Sequence, residues 1–278
     1  MGNKRPFCVF TIVRNEPFFL PLWCHYYAKN FGEENLYVLD NSSDDSSVVS
    51  VKQRWPRINI KSVPSDAAFA WKWTTDVIKS FQCAALNAPD VVIYSDADEF
   101  LIPNNDFADL KSYCEQFAAS SKQSARAVGW AVIHQIDTEP PVDVTSFSVL
   151  NQRNHIWRAP MYDKTLIAKV PLNWAKGLHT TYDDVGNKLS NDPRDERLAL
   201  VHLRDIDVDV LYKRSIDRQR MVRFKDQYGC HSTFHGSTDV AQLHEFFRTR
   251  HAPWTAFGTM EYEGDSQNVP EHWRHAFS

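Results

Sequence analysis

Three carboxylates directly follow a run of apolar residues in the segment VVIYSDADEFL, residues 91 to 101. They are Asp96, Asp98 and Glu99. If the chain stays extended here, Asp96 and Asp98 point to the same side, because side chains alternate along a strand. Two like charges held this close repel each other unless positive charge lies between them. Carboxylate oxygens suit Mn²⁺ or Mg²⁺, so the segment predicts a divalent metal site at Asp96 and Asp98. The alternative is a carboxylate-rich turn that only caps the next helix.

A second acidic cluster, LDNSSDD, ends another apolar run. Its Asp40 stands where an acid can bind ribose hydroxyls or a base edge, whereas the alternative is a polar N-cap for the next helix. Together the two clusters suggest a nucleotide whose diphosphate is bridged by metal. The sequence contains neither G-x-G-x-x-G nor G-x-x-x-x-G-K-[ST], which argues against a dinucleotide dehydrogenase and a P-loop enzyme.

The elements that must position these acids follow from the alternation of apolar, β-rich runs with amphipathic ones, which is typical of βαβ units and a parallel sheet. The predicted strands are 7–13, 35–40, 57–63, 90–96, 126–136, 165–170 and 198–203. The predicted helices are 16–31, a helix ending near residue 55, 70–86, 207–228 and 238–250. From Pro253 the sequence loses its period and predicts an irregular arm. Because ligands of open α/β sheets bind at the carboxyl ends of strands, both clusters should share one edge.

Length and composition predict one large α/β domain over residues 1–205, with C-terminal helices and an arm over residues 206–278 packed on it. The formal net charge of −4 gives no general reason to bind nucleic acid. Five cysteines without a C-x-x-C spacing favour a reduced, cytoplasmic location. No apolar stretch approaches the ~18 residues of a membrane span, and the oligomeric state stays open.

The segment YKRSIDRQRMVRFK, residues 212 to 225, carries six basic residues against one acid. One interpretation is the solvated face of a helix. The other is a surface for an anionic acceptor or for lipid head groups, which would place the protein peripherally at the inner face of the membrane.

Two stretches, TIVRNEPFFLPLWCHYYAKNFGEENLYVLDNSSDD and VVIYSDADEFL, resemble the N-terminal half of GT-A fold glycosyltransferases, specifically a family 2-like group related to family 92. The matching motifs are Arg14-Asn15-Glu16, Trp23 with His25 and Tyr26, Asp40-Asn41-Ser42-Ser43-Asp44, and Asp96-Ala97-Asp98-Glu99-Phe100. The match is specific through the second stretch, looser after it and weak at the C-terminus. In LVHLRDIDVDVLYKR, Leu203 and Ile206 depart from the H-Y-x-x-R-S element of the group.

The resemblance implies a GT-A type, Rossmann-like, mostly parallel central sheet flanked by helices, with a helical C-terminal extension. It implies transfer of a sugar from a nucleoside diphosphate sugar, with UDP favoured, to a glycan or glycoconjugate hydroxyl, with Mn²⁺ or Mg²⁺. By resemblance, the nucleotide sugar is bound by Thr11, Arg14, Glu16, Asp40, Lys72, Asp96 and Lys164. The metal is held by Asp96 and Asp98, and His179 or His202 completes its shell.

An inverting reaction, which the resemblance also implies, needs a carboxylate that takes the proton of the acceptor. Asp137 follows a predicted strand and Asp183 shares a loop with His179, so these two are the candidates, with Asp163 and Glu139 as further ones. Two other functions compete: a metal-dependent phosphohydrolase or nucleotidyltransferase, and a non-catalytic domain that binds nucleotide or glycan. The missing phosphate loop and D-x-D-x-[TV] motif argue against the first. Release of nucleotide from a nucleotide sugar would exclude the second.

Overall fold

The computed structural model describes residues 6–64, 71–175, 178–183, 185–188, 193–221, 237–250 and 262–277. The strands are β1 Phe7–Val13, β2 Leu36–Asp40, β3 Asn59–Ser62, β4 Val91–Tyr94, β5 Glu99–Pro103, β6 Ser124–Val132, β7 His155–Arg158, β8 Lys164–Ala168, β9 Asn173–Trp174, β10 Thr181–Tyr182, β11 Leu198–His202 and β12 Glu263–Asn268. The helices are α1 Phe19–Phe31, α2 Ser47–Arg54, α3 Trp71–Ala85, α4 Leu110–Ala119, α5 Val208–Met221, α6 Val240–Thr249 and α7 Glu271–Ala276. Within these ranges, no helix is both long and apolar enough to cross a membrane.

One ten-stranded sheet organises the molecule, in the order β12-β7-β6-β8-β4-β1-β2-β3, with β11 paired to β5 and β6. The strands β4, β1, β2 and β3 are mutually parallel. Strand β8 runs antiparallel between β4 and β6, and β11 lies parallel to β6. The predicted α/β class, with a mostly parallel central sheet flanked by helices, is therefore confirmed.

The centre of this sheet is covered on both faces. All seven residues of β1 are buried, as expected for a parallel strand between two layers of helices. Helix α1 packs on one face through Trp23, Tyr26 and Tyr27, all at most 1% exposed. The indole of Trp23 donates a hydrogen bond to Ser95 Oγ at 2.8 Å, and the Tyr26 hydroxyl donates one to the Leu101 carbonyl at 2.6 Å. Helix α1 therefore fixes the backbone on both sides of the three acids.

The C-terminal segment differs from the irregular arm that the sequence predicts. Residues 251–261 lie outside the described ranges, and so does Pro253, where the predicted arm begins. After them, β12 pairs with β7 and extends the sheet by one strand. Helix α7 then places Trp273 edge-on against Trp130, with ring centroids 5.9 Å apart. Backbone pairing and aromatic packing order this segment although its sequence shows no period.

Candidate functional site

The loops after β1 and β4 lie side by side at the carboxyl edge of the sheet, and we call the region between them the crevice. Strand β1 is flanked by β2 on one side and by β4 on the other, so the order of the strands reverses between β1 and β4. Open α/β sheets bind their ligands at such a switch point. Residues 14–16 follow β1 and residues 95–98 follow β4, so two of the motifs found in the sequence flank the same crevice.

Asn15 joins the loop after β1 to the loop after β2. Its backbone has a positive φ of 53°, a conformation that Asn tolerates better than most residues. Its side-chain amide donates to Asp44 Oδ1 at 2.6 Å, and its side-chain oxygen accepts from the Asp44 N–H at 2.9 Å. Asp40 Oδ1 accepts from the Ser43 N–H at 2.9 Å. Asp40 and its loop are therefore held in a fixed position beside residues 14–16.

The three acids that follow β4 lie in a turn and at the start of β5. Strand β4 ends at Tyr94, and the Glu99 N–H donates to the Asp96 carbonyl at 3.0 Å. The expectation that Asp96 and Asp98 share one face of an extended strand is therefore wrong. Asp96 is 35% exposed and accepts a 2.5 Å hydrogen bond from the Tyr94 hydroxyl, whereas Asp98 is buried. The turn sends the two side chains to different partners.

Arg214 of α5 bridges the two loops of the crevice. Its Nη1 donates to Asp98 Oδ2 at 2.7 Å, and its Nη2 donates to Glu16 Oε2 at 2.8 Å. None of the three side chains is more than 12% exposed. Burial favours the neutral form of Asp98, but the charge of Arg214 outweighs it and holds the pKa of Asp98 well below its usual range. For Glu16 burial outweighs Arg214, so its pKa is raised.

Lys164, the first residue of β8, supplies a second internal cation. Its Nζ lies 2.5 Å from Glu99 Oε1 and 3.5 Å from Asp96 Oδ2. Burial raises the pKa of Glu99 to about 7, although the charge of Lys164 opposes this. Burial also opposes the charge on Lys164, but the neighbouring carboxylates outweigh it and raise the pKa of Lys164. The ammonium group therefore stays protonated at neutral pH.

His202 ends β11 beside Glu99 and stacks on Tyr162, with ring centroids 4.3 Å apart. Burial lowers its pKa well below the usual value for histidine, so the ring is neutral at pH 7. Its Nδ1 accepts from the Arg204 N–H at 3.2 Å, which assigns the proton to Nε2, 3.6 Å from Glu99 Oε1. His179 is exposed, and its ring centroid lies 6.5 Å from that of Tyr162.

The predicted divalent metal site is not assembled from these groups. Asp98 and Glu99 already bind cationic side chains, and the Nε2 atom of His202 carries a proton instead of offering a lone pair. No group of three or more His, Cys, Asp or Glu side chains among the described residues could hold a metal ion. The oxygens suit Mn²⁺ or Mg²⁺ in type, but as arranged they do not fit one, because an added divalent charge would face Arg214 and Lys164.

Three predicted nucleotide-sugar contacts have different surroundings. Thr11 is fully buried in β1, and its Oγ1 has no hydrogen-bond partner, so it lies in the core and not at the crevice surface. Lys72 is exposed on α3 and pairs with Asp76 at 2.7 Å, one turn further along the helix. The guanidinium of Arg14 has two buried nitrogens, Nε and Nη1, without a hydrogen-bond partner among the residues that the structure describes. Arg14 therefore has donors to offer to a ligand of the crevice.

The two predicted bases form local contacts outside the acid cluster. Asp137 is exposed and accepts three hydrogen bonds from the Arg248 guanidinium, at 3.3, 3.1 and 3.0 Å. Asp183 accepts from the backbone and side chain of Asn187 within its own loop. The two further candidates, Asp163 and Glu139, are both buried. Asp163 accepts a hydrogen bond from the Gly129 N–H and forms an ion pair with Arg158. Glu139 accepts hydrogen bonds from the Gln135 and Asn154 N–H groups and lies beside Arg153. Asp137 and Asp183 are thus the two that solvent can reach.

Two functional candidates were not singled out from the sequence, Arg214 and Arg218 of the basic segment 212–225. They stand four residues apart on α5 and so occupy one face of the helix. On that face Arg214 donates to Asp98 and Glu16, and Arg218 lies near enough to interact electrostatically with both carboxylates. The side chains of residues 219–225 are outside the described part of the chain. The four-residue spacing of two arginines was the signal available in the sequence.

No protein-family model matches the chain, and the comparison with curated proteins gives no significant match. Among solved structures, the chain is similar to glucosyl-3-phosphoglycerate synthase from Mycobacterium tuberculosis in complex with Mn²⁺, UDP and glucosyl-3-phosphoglycerate, at 17% identity over 34% of each chain with a TM-score of 0.26. It is similar to S. aureus TarS, at 12% identity over 90% of this chain and 44% of that one with a TM-score of 0.36. It is also similar to the mannosyltransferase PcManGT from Pyrobaculum calidifontis in complex with GDP-Man and Mn²⁺, at 16% identity over 90% and 71% of the two chains with a TM-score of 0.35.

The chain thus spans only 34% and 44% of the length of the first two of these proteins. At these TM-scores and identities the likeness carries no argument about activity. The function is therefore argued from the crevice itself.

Proposed function

We propose that the protein transfers a sugar from a nucleoside diphosphate sugar to a hydroxyl of a glycan or glycoconjugate. The observation that carries the proposal is the bridge made by Arg214 between Glu16, after β1, and Asp98, after β4. It brings the R-N-E and D-x-D-E-F motifs together at the switch point of the sheet, where α/β proteins bind nucleotides. The resemblance of the same motifs to GT-A glycosyltransferases supports the proposal independently.

In the proposed complex, Asp40 binds the ribose or the base. It stands at the end of β2, and the Ser43 N–H holds one of its oxygens, which orients the carboxylate. A uracil base is the favoured choice from the resemblance. The diphosphate lies at the crevice between the loops after β1 and β4, within reach of the two unpartnered nitrogens of Arg14. Buried donors without a partner are costly, and phosphate oxygens would satisfy them.

The chemistry required of these residues is the stabilisation of charge. Glycosyl transfer passes through an oxocarbenium-like state while the leaving diphosphate gains negative charge. Cations that are already fixed in place stabilise such charge without reorganising. Because the acids as arranged do not fit a divalent cation, no step of the proposed reaction passes through a metal.

For an inverting reaction, the acceptor hydroxyl loses its proton to a carboxylate across the sugar from the diphosphate. Asp137 and Asp183 remain our candidates, because Asp137 is exposed, Asp183 is partly exposed and both are ionised at neutral pH. The hydrogen bonds from Arg248 and from Asn187 lower the pKa of Asp137 and of Asp183 respectively. Substitution of each by Asn, followed by a comparison of the kcat for transfer with that of the unmodified protein, tests the two assignments separately.

The test of the proposed function is nucleotide release from a panel of UDP-, GDP- and CMP-sugars, with and without an acceptor glycan. The informative variant is Asp96→Asn, because Asp96 is partly exposed and its loss leaves no unpaired charge in the core. Glu115→Gln is the matched control, because Glu115 is an exposed acid in an ion pair on α4. We expect release from one donor class, a loss of at least about tenfold in Asp96→Asn and no change in Glu115→Gln. Binding of nucleotide without release would favour the non-catalytic domain, and neither binding nor release would refute the proposal.

A further inference from the structure

The acids of the crevice are matched by basic side chains of the protein itself. Glu16 and Asp98 share the guanidinium of Arg214, and each of its two outer nitrogens is committed to one carboxylate. Arg214 therefore lies between Asp98, one of the two acids to which the sequence analysis assigned a divalent cation, and Glu16. Removing it would leave two buried carboxylates facing each other.

Arg218 is the second arginine on this face of α5, and its situation differs. It lies close enough to Arg214, Asp98 and Glu16 to feel all three charges. Burial and the neighbouring charge of Arg214 lower its pKa to about 10. Within the described part of the chain it makes no hydrogen bond and no ion pair, and Asp98 and Glu16 direct their bonded oxygens to Arg214. A partly buried cation in this position gains from an incoming anion.

A second set of unpartnered donors borders the same crevice. In the described part of the chain, Arg14 Nε and Nη1 are buried without hydrogen-bond partners, and Arg14 is only two residues from Glu16. Arginine presents its donors in a planar fork that matches phosphate oxygens. Arg14 thus has unpartnered donors after β1, Arg218 of α5 lies within electrostatic range of the same acids, and Arg214 commits both of its outer nitrogens to carboxylates.

We infer that this site neutralises the diphosphate of its nucleotide with arginine side chains and needs no divalent cation. Arg218 and Arg14 contact the phosphate oxygens, and Arg214 stays with the acids as their fixed counter-ion. The inference rests on the proposed function and specifies how the same site binds its donor. The acids then serve to hold Arg214, and through it α5, so that Arg218 is placed at the crevice.

The first experiment measures the metal requirement of binding on the complete chain. Isothermal titration with UDP and GDP is performed in Mn²⁺ and in EDTA, and Mn²⁺ alone is titrated and followed by electron paramagnetic resonance. We expect one nucleoside diphosphate to bind with the same affinity, within about twofold, in Mn²⁺ and EDTA, and no Mn²⁺ to bind at the crevice.

The second experiment separates contact with phosphate from the rest of the nucleotide. Arg218→Met removes a charge that has no hydrogen bond or ion pair among the described residues, so the fold should be retained. Arg57→Met is the control, because Arg57 is exposed and precedes β3, an edge strand of the sheet. We expect Arg218→Met to weaken the nucleoside diphosphate about 10- to 100-fold and the nucleoside alone by less than about threefold. Arg57→Met should change neither.

The results that overturn the inference differ from those that overturn the proposed function. Binding of the nucleoside diphosphate that requires Mn²⁺ and is lost in EDTA would refute arginine neutralisation and leave a nucleotide site in place. Equal losses for nucleotide and nucleoside in Arg218→Met would remove Arg218 from the phosphate contact. If no nucleotide binds under any condition, the proposed function itself fails, and the inference fails with it.

Discussion

Replacement of Arg214 by Met should destabilise the fold in a way that depends on pH. The substitution keeps most of the apolar stem but removes the guanidinium that joins Asp98 to Glu16. Removal of one partner from a buried ion pair costs about 3–5 kcal/mol, and here one cation serves two carboxylates, so we expect about 4–5 kcal/mol at neutral pH. The total stability of a typical protein, about 5–15 kcal/mol, exceeds this loss, so the variant should still fold although it loses a large part of its stability.

The sign of the pH dependence follows from the two carboxyl groups. In the unmodified protein Arg214 holds the pKa of Asp98 low, so the stability that Asp98 contributes is present above its unfolded pKa and is lost only in strong acid. In the variant, burial and mutual repulsion raise the pKa of both Asp98 and Glu16 above their unfolded values. The free energy of unfolding of the variant then falls as the pH rises from about 4 to neutral. The gap between the two proteins should therefore be wider at about pH 8 than at about pH 5.

Guanidinium chloride unfolding followed by tryptophan fluorescence measures both quantities. The chain has nine tryptophans, which provide the signal. Arg57→Met is the control for loss of an arginine. Adding Glu16→Gln and Asp98→Asn to Arg214→Met should recover part of the loss, because the repelling charges are gone. A loss below about 1 kcal/mol that is the same at both pH values would refute the buried bridge.

Three other substitutions test the surroundings of the crevice. Asn15→Gly keeps a residue that accepts the positive φ but removes the side-chain hydrogen bonds to Asp44. Unfolding measurements should therefore show a loss of stability of about 1–2 kcal/mol. An unchanged stability would contradict the conclusion that Asn15 holds the two loops together. Gly129→Ala would place a Cβ atom 2.4 Å from the Tyr162 carbonyl carbon, so we expect the free energy of unfolding to fall by about 1–3 kcal/mol. An unchanged free energy of unfolding would show that the backbone at Gly129 and Tyr162 can move apart. Burial raises the folded pKa of Glu99 to about 7, so the stability that Glu99 contributes is full below its unfolded pKa and is lost as the pH rises through 7. In Glu99→Gln the free energy of unfolding should therefore not show this loss between about pH 5 and pH 8. Identical pH profiles of the variant and the unmodified protein would argue against the raised pKa.

The sequence predicts the central strands well because burial on both faces gives them continuous apolar runs. The segment FCVFTIV is an example: its predicted strand 7–13 coincides with β1. It does not predict β5, whose EFLIP sequence combines a buried Glu with a Pro. It also does not predict β12, whose EGDSQN sequence contains no residue that favours strands and which forms by pairing with the edge of β7. Strands that depend on a neighbouring edge cannot be read from local patterns.

The acids of the site could be predicted, but their partners could not. The run from Asp96 to Glu99 is visible because three carboxylates follow an apolar strand. Arg214 is 116 residues from Asp98 and 198 from Glu16, and no local pattern relates positions so far apart. Repulsion between Asp96 and Asp98 indicated a need for positive charge near them, and the sequence analysis assigned that charge to a metal ion. Basic side chains of the fold can supply such charge as well, and no local pattern distinguishes the two sources.

Hydrogen exchange of the backbone amides, with and without saturating UDP or GDP, tests most directly whether the crevice is the nucleotide site. The amides concerned belong to residues 14–16, 41–45 and 95–99, which border the crevice. We predict slower exchange in all three segments when the nucleotide binds, and no change in β3 or α4. Protection confined to another part of the molecule, for example the paired edge of β7 and β12, would contradict a nucleotide site at the switch point.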